Sequence, residues 1–197
     1  FPGSWAQTYL TTRLAGTDLT GHPTIRPGYA PAGWTSLVDH LGGHGASSEE
    51  LLAAGLATTT RDGRLIDRFR DRLILPITRT TATNQEQVLG FVARRHPRHS
   101  DHTGGGPKYL NTPDTVLFHK GAQLYSTSMQ PSVGVTPVLV EGPLDAIAIH
   151  VAGGGQYVGM APLGSSLTEE QARELAQAAA LAGREPIFAT DHDPAGQ

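Results

Sequence analysis

Val138-Leu139-Val140-Glu141-Gly142-Pro143 carries the strongest fold signal in the chain. Three apolar residues run into an acid, a glycine and a proline, the pattern of a buried strand of a parallel sheet that gives way to a helix. Pro186-Ile187-Phe188-Ala189-Thr190 repeats the pattern and runs into Asp191-His192-Asp193. In open α/β sheets, ligands collect beyond the carboxyl ends of the strands. Two neighbouring strands ending this way aim Glu141, Asp191 and Asp193 at one crevice, where their mutual repulsion calls for a cation. A hard divalent ion such as Mg²⁺, held by carboxylates and completed by water and phosphate oxygens, suits that donor set. One such acid alone reads better as an ordinary strand-end carboxylate; the Asp-x-Asp spacing beside a second strand-end acid shifts the balance toward metal.

The residues between the two acidic motifs fit the same frame. Pro143 suits a first helical turn, where its missing N–H costs nothing, and opens a helix expected over about Pro143 to Val151. A strand is expected over Tyr157 to Met160. Thr168 with Gln171 forms a capping box, Glu169 and Glu170 sit in the first turn, and Gly183 stands where that helix stops. Upstream, Ser47 with Glu50 caps a short helix ended by Gly55. Leu73 to Ile77 and Val88 to Ala93 read as paired strands joined by a polar loop, Thr78 to Gln87, longer than a tight hairpin requires. Around Ser126 to Thr136, Ser, Thr, Pro and Gly content marks a boundary between subdomains.

Glu141-Gly142-Pro143-Leu144-Asp145, then Leu163-Gly164-Ser165-Ser166-Leu167-Thr168, then Asp191-His192-Asp193-Pro194-Ala195-Gly196 resemble the Toprim domain of bacterial, DnaG-type primases. Pro107-Lys108-Tyr109-Leu110-Asn111, Leu117-Phe118-His119-Lys120-Gly121, Asp67-Arg68-Phe69-Arg70-Asp71-Arg72 and the early Gly28-Tyr29-Ala30-Pro31 with Trp34 match that family's catalytic core in order. The resemblance implies an α/β fold: a mixed α+β N-terminal subdomain over residues 1–134, then a Toprim-like, Rossmann-type parallel sheet over 135–197, truncated at its C-terminal end. It further implies metal-dependent synthesis of RNA primers from ribonucleoside triphosphates on a single-stranded DNA template. By the resemblance, Glu141, Asp191 and Asp193 are catalytic. Asp145 joins them as ligand to Mg²⁺ or Mn²⁺, and Lys108, Lys120, Arg94, Arg13 and Asn111 bind nucleotide and nucleic acid. A replicative helicase partner, contacted through regions outside these residues, and a cytoplasmic, nucleoid-associated location are further implications. The last motif departs from the family's usual Asp-Gly-Asp-Arg-Ala-Gly, with His192 and Pro194 in place of Gly and Arg. A Toprim nuclease, or a nucleic-acid-binding module with a degenerate site, remains open at this point.

Composition is consistent with these expectations. The 197 residues carry a net charge of −3, spread as 2 basic and 4 acidic side chains over 1–60, 11 and 6 over 61–120, and 2 and 8 over 121–197. A basic middle and an acidic end suit a site with phosphates along one wall and metal on the other. Of the 15 basic residues only Lys108 and Lys120 are lysines, and both fall in the family-like motifs. An ammonium acts as a point charge on one phosphate oxygen, whereas guanidinium wants a planar bidentate partner. Arg68, Arg70 and Arg72, alternating with Asp67 and Asp71, read either as part of the basic wall or as an exposed ion-pair ladder; alternation before Leu73 also suits a strand with one polar face. His96, His99 and His102 have a ligand-like spacing, but Pro97 argues against the helix that would give it meaning, so a solvated or phosphate-facing loop is expected. Without cysteine there is neither disulfide nor thiolate zinc site. No run reaches transmembrane length and the start lacks a signal-peptide layout. Beginning at Phe1 and stopping at Gln197 just after a motif, the chain is expected to be a piece of a longer protein that makes primers poorly by itself.

Overall fold

The computed structural model describes residues 1–81, 83, 85–99, 105–128 and 132–190. Leu73, Leu75 and Ile77 alternate inward along β4 (Arg72–Thr80), which pairs antiparallel with β5 (Glu86–Arg95). Together with β1 (Gly28–Ala30) and β6 (Tyr109–Asn111) they form an antiparallel sheet in the order β1-β4-β5-β6. The strands run further than their apolar stretches suggest, with Thr80 opposite Glu86, so the turn is far shorter than the loop expected from Thr78 to Gln87. Cross-strand pairing carries the polar ends, where apolar alternation gives no signal. A register shift between Ile77 and Thr78 twists this hairpin. Pro76, unusual inside a strand, lies past the end of β1, where β4 is locally an edge.

The second sheet has the order β10-β8-β9-β7. Strands β8 (Thr136–Val140), β9 (Tyr157–Pro162) and β10 (Ile187–Ala189) are parallel, and β7 (Leu124–Ser126) joins β9 antiparallel. Two helices supply the crossovers: α4 (Pro143–Ala152), with Gly142 as N-cap and Pro143 in its first turn, and α5 (Glu169–Ala182). The expected capping box of Thr168 and Gln171 is formed, and Gly183 closes α5 in the left-handed conformation at φ 63°. This mixed, largely parallel α/β unit is the fold class expected from the strand-to-acid motifs.

The earlier chain supplies α1 (Trp5–Arg13), α2 (Ser36–Gly42), the capped α3 (Ser48–Ala53) and a ribbon of β2 (Ala57–Thr59) with β3 (Leu65–Asp67). One apolar core runs through both sheets: Leu10 of α1 and Leu73, Leu75 and Val92 of the first sheet pack in the same cluster as Val138, Val140, Leu144 and Ile147. Among the described residues no helix is long and apolar enough to cross a membrane.

Helix α4 lies on β9 at its closest where Gly159 meets Ala146. A Cβ at position 159 would stand 2.1 Å from the Ala146 carbonyl oxygen and 2.5 Å from its Cα, both backbone atoms that cannot rotate away. Gly159→Ala is therefore expected to destabilise the fold by about 3 kcal/mol, the upper part of the range for overpacked sites, read as a lowered midpoint in urea denaturation.

Candidate active site and nucleic-acid interface

Glu141 follows the last residue of β8, and the parallel register that sets Ala189 beside Val140 brings the chain after β10 to the same end of the sheet. Glu141 and Thr190 consequently share a hollow of about 560 Å³, with Ser165 and Ser166 on its far wall. The two expected acidic strand ends are thus neighbours. Asp191 and Asp193 themselves lie outside the described residues. Asp145, in the first turn of α4, sits half exposed with Oδ1 3.5 Å from an Arg13 nitrogen. Gly142 between the two acids keeps the turn compact, since a Cβ there would come within 3.2 Å of Asp145 Oδ2. Carboxylate oxygens gathered on such a turn suit a hard divalent cation. Among the described residues no group of three acids or histidines is close enough to hold one.

Facing this turn is β6. Strand alternation sends Tyr109 and Asn111 to one side and Leu110 to the other. Tyr109 and Asn111 line a second hollow of about 240 Å³ together with Lys120, Glu141, Gly142 and Gly164. Asn111 Nδ2 donates to the Leu163 carbonyl at 2.7 Å, while its Oδ1 is buried without a partner. Burial pushes the Tyr109 phenol up to about 12, so it stays neutral at physiological pH. Arg94 stands 5.4 Å from the Tyr109 ring centroid and 5.7 Å from that of Tyr9 on α1. The Lys120 loop is fixed by α5: buried Gln171 Nε2 donates to the carbonyls of Lys120 at 3.1 Å and Gln123 at 2.9 Å, and Thr168 Oγ1 to that of Gly121 at 2.6 Å. The expected residues Glu141, Lys120 and Asn111 thus meet in one hollow, with Arg94 behind Tyr109 and Arg13 on Asp145. Lys108 stands apart from that hollow, its Nζ 5.9 Å from the Tyr109 ring centroid.

On the opposite side of β6, Leu110 belongs to a third hollow of about 540 Å³ that the sequence reading did not separate out. Arg68, Arg70, Arg72, Arg95 and Arg98 line it, with Trp34 at the rim. Neither the exposed ion-pair ladder nor the half-polar strand forms here. Residues 68–71 make a turn, and Arg72 opens β4 as a buried side chain. The acids that alternate with these arginines are engaged elsewhere. Asp67 is buried and accepts from the Leu37 and Val38 amides at 2.8 and 2.9 Å, which caps α2 in place of Thr35, whose hydroxyl donates to Asp39 at 2.7 Å instead. Asp71 accepts from Trp5 Nε1 at 2.7 Å, the Tyr29 hydroxyl at 3.0 Å and Arg98 at 2.8 Å. Burial favours a raised Asp71 pKa, but these bonds and the Arg98 charge outweigh it and hold the carboxyl below its ordinary value. Among the described residues Arg68 and Arg70 have no carboxylate partner. Arg68 forks onto the Asn111 carbonyl at 3.1 and 2.8 Å, and Arg70 stacks 4.5 Å from the Trp34 ring centroid, itself 63 % exposed. His96 stacks on Trp5 at 4.2 Å and His99 turns to Asp71, so this turn forms a wall of the arginine hollow; His102 lies outside the described residues. What the sequence offered was the run of arginines and Trp34; their convergence depends on the bonds of Arg72 and Arg95 to carbonyls of residues 105–107 and of Arg98 to Asp71, which local spacing does not show.

These two faces define the class: an α/β domain with an acid at the end of a parallel strand, joined to an arginine-lined antiparallel sheet. Residues 138–197 match the Toprim-like family, and residues 2–130 match the family described as DNA primase catalytic core, N-terminal domain. The chain belongs to that primase catalytic-core family. It is 34 % identical to the DNA primase of Escherichia coli K12 over 176 residues, 88 % of this chain and 28 % of that protein. With the Mycobacterium tuberculosis DNA primase it shares 38 % over 151 residues, 75 % of this chain and 22 % of the relative. The chain thus spans about a quarter of the length of these curated relatives. The structure of the RNA polymerase domain of M. tuberculosis primase DnaG in complex with double-stranded DNA is similar at a TM-score of 0.75 and 34 % identity, covering 97 % of this chain and 58 % of that one. A DnaG primase catalytic domain bound to single-stranded DNA is similar at 0.66 and 29 %, covering 95 % and 53 %. Membership of the Toprim-like primase family implies use of a divalent metal.

Arg72 bridges three carbonyls, donating to Ala93 at 3.3 Å, Pro107 at 3.0 Å and Gly105 at 2.8 Å, and burial together with Arg95, Arg70 and Arg94 lowers its pKa to about 10. An ammonium cannot span that fork. Arg72→Lys is expected to lose about 2 kcal/mol of stability through unsatisfied carbonyls, measured by urea denaturation.

Proposed function

We propose that this chain is the catalytic core of a DNA primase, making RNA primers from ribonucleoside triphosphates on single-stranded DNA with Mg²⁺ or Mn²⁺. One observation carries the reading: β6 is a wall shared by the acid-bearing hollow and the arginine hollow. Tyr109 and Asn111 face the first, Leu110 faces the second, and Arg68 grips the Asn111 backbone from the second side. A template held by the arginines therefore runs one strand's thickness from the acids.

Glu141 and Asp145, with Asp191 and Asp193 from the neighbouring strand end, would hold the divalent ions. Bound there, such ions lower the pKa of a primer 3′-hydroxyl and stabilise departing pyrophosphate. The chain's own residues supply positioning. Lys120 projects beside Gly164 as a single positive charge for one phosphate oxygen, while Asn111, tied through Nδ2 to the Leu163 carbonyl, lines the nucleotide-facing wall of that hollow. Arg94, held between two tyrosine rings, adds positive potential without leaving its place. Arg13, 3.5 Å from Asp145, gives that carboxylate up when a metal takes it. At the arginine hollow, Arg70 and Trp34 offer the cation and the stacking surface that single-stranded nucleic acid binds without sequence preference. Lys108, beyond the Tyr109 ring, contacts the strand between the two hollows.

Incubating the whole protein with labelled ribonucleotides, a divalent metal and single-stranded DNA should yield primers; nicked strands would indicate a nuclease, and retention without chemistry a binding module. Glu141→Gln keeps shape and removes one charge, and primer synthesis should fall by about 10²-fold or more with an unchanged thermal midpoint. Lys120→Ala should lower the slope of log affinity against log salt by about one. Full activity in Glu141→Gln would remove it from the catalytic set.

A further inference from the structure

We infer that Asp71 is a positioning residue of the arginine hollow: its carboxylate holds the Arg98 guanidinium at the rim, turned toward a nucleic-acid backbone. The inference rests on the template reading of that hollow. Asp71 is the one carboxylate among the described lining residues, and its side chain is 14 % exposed. It adopts φ 48°, a left-handed conformation that aspartate and asparagine tolerate better than other non-glycine residues. Four segments meet on it. Oδ1 accepts from Trp5 of α1 and Tyr29 of β1, its own amide donates to the Pro31 carbonyl at 3.1 Å, and Oδ2 accepts from Arg98 at 2.8 Å with His99 Nε2 at 3.5 Å. Arg98 is also tied by Nε to His99 at 3.2 Å, and its amide donates to His96 Nδ1 at 3.0 Å.

Arg98 is 61 % exposed, so the guanidinium keeps donors for solvent or phosphate while one edge is fixed. Simple charge arithmetic makes Asp71 a hindrance, because a carboxylate beside phosphates repels them. Positioning makes the opposite prediction: without Asp71, Arg98 swings free and its phosphate contact is lost despite the gain of one net positive charge.

That difference in sign is the test. Asp71→Asn tolerates the left-handed backbone and can still accept from Trp5 and Tyr29, but its amide no longer pairs with Arg98. Binding of a labelled single-stranded oligothymidylate is measured by fluorescence anisotropy across a salt series, with thermal melts alongside. Asp71→Asn is expected to bind several-fold more weakly than the unsubstituted chain, with a log–log salt slope reduced by about one. Arg98→Ala should show the same slope, and the double variant should lose nothing further. Affinity equal to or tighter than that of the unsubstituted chain, at unchanged slope, overturns the proposal. A merely structural aspartate would lower the melting temperature and leave the slope alone, which also overturns it. Should Asp71→Asn fail to fold, the exposed Arg98→Ala decides, because an unchanged slope there leaves nothing to position. Arg70→Ala separates the two levels: if its slope falls while those of Asp71→Asn and Arg98→Ala hold, only the positioning role is wrong. If its slope also holds, the template reading fails and takes the proposal with it.

Discussion

Acids that bind metal and cations that bind phosphate can act on one nucleotide only if something other than their own attraction holds them apart at working distance. Here the apolar core shared by the two sheets does so. Leu10, Leu73, Leu75 and Val92 of the basic part pack in one cluster with Val140, Leu144 and Ile147, the residues that carry Glu141 and Asp145 at their ends. Burying a side chain of this kind is worth about 1.5–3 kcal/mol, far more than an exposed pair such as Arg13 with Asp145, for which about 0–1 kcal/mol is typical. The apolar contacts therefore set the spacing, and the surface pair adjusts to it. On the proposed reading, Asp145 exchanges Arg13 for a metal ion without loosening the fold.

The same logic explains which parts of the molecule were legible in the sequence. Parallel strands, capped helices and strand-end acids are local: Val138 to Val140, the Thr168–Gln171 box and Glu141 each announce themselves within a few residues. Glu141, Lys120 and Asn111 were legible through the family motifs, and the structure brings them to one hollow. Helix α1 was not, because its apolar residues are few and its stability comes from packing Ala6 and Leu10 on the first sheet. The polar ends of β4 and β5 were missed for the matching reason, since pairing there is made by backbone and not by alternation. The arginine hollow was the largest omission. Asp67 capping α2 from thirty residues away, as it does through Leu37 and Val38, leaves no mark in local spacing.

Those engaged acids decide the electrostatics of the basic face. With Asp67 on helix amides and Asp71 on Trp5, Tyr29 and Arg98, the chain keeps its formal balance of charge while Arg68 and Arg70 stay unneutralised among the described residues. A net charge of −3 consequently says little about nucleic-acid binding. What matters is where each carboxylate is spent, which folding alone determines.

The division of labour between arginine and lysine follows from geometry at the same places. Arg68, Arg72 and Arg95 grip backbone carbonyls, which a planar guanidinium can do with several donors while retaining its charge. They thus build the hollow and give it its potential at once. Lysine has no such fork, and neither Lys108 nor Lys120 makes a side-chain hydrogen bond or ion pair among the described residues; each leaves a compact charge beside an aromatic ring or a glycine. A chain that grips its own backbone with Arg68, Arg72 and Arg95 and sets Lys120 in the hollow of Glu141 separates, on the proposed reading, the task of holding a strand from that of meeting one phosphate oxygen. A template must slide between successive additions, whereas an incoming triphosphate must be held in one place. On the proposed reading, the partly engaged guanidiniums of one wall and the Lys120 charge in the other hollow match those two demands.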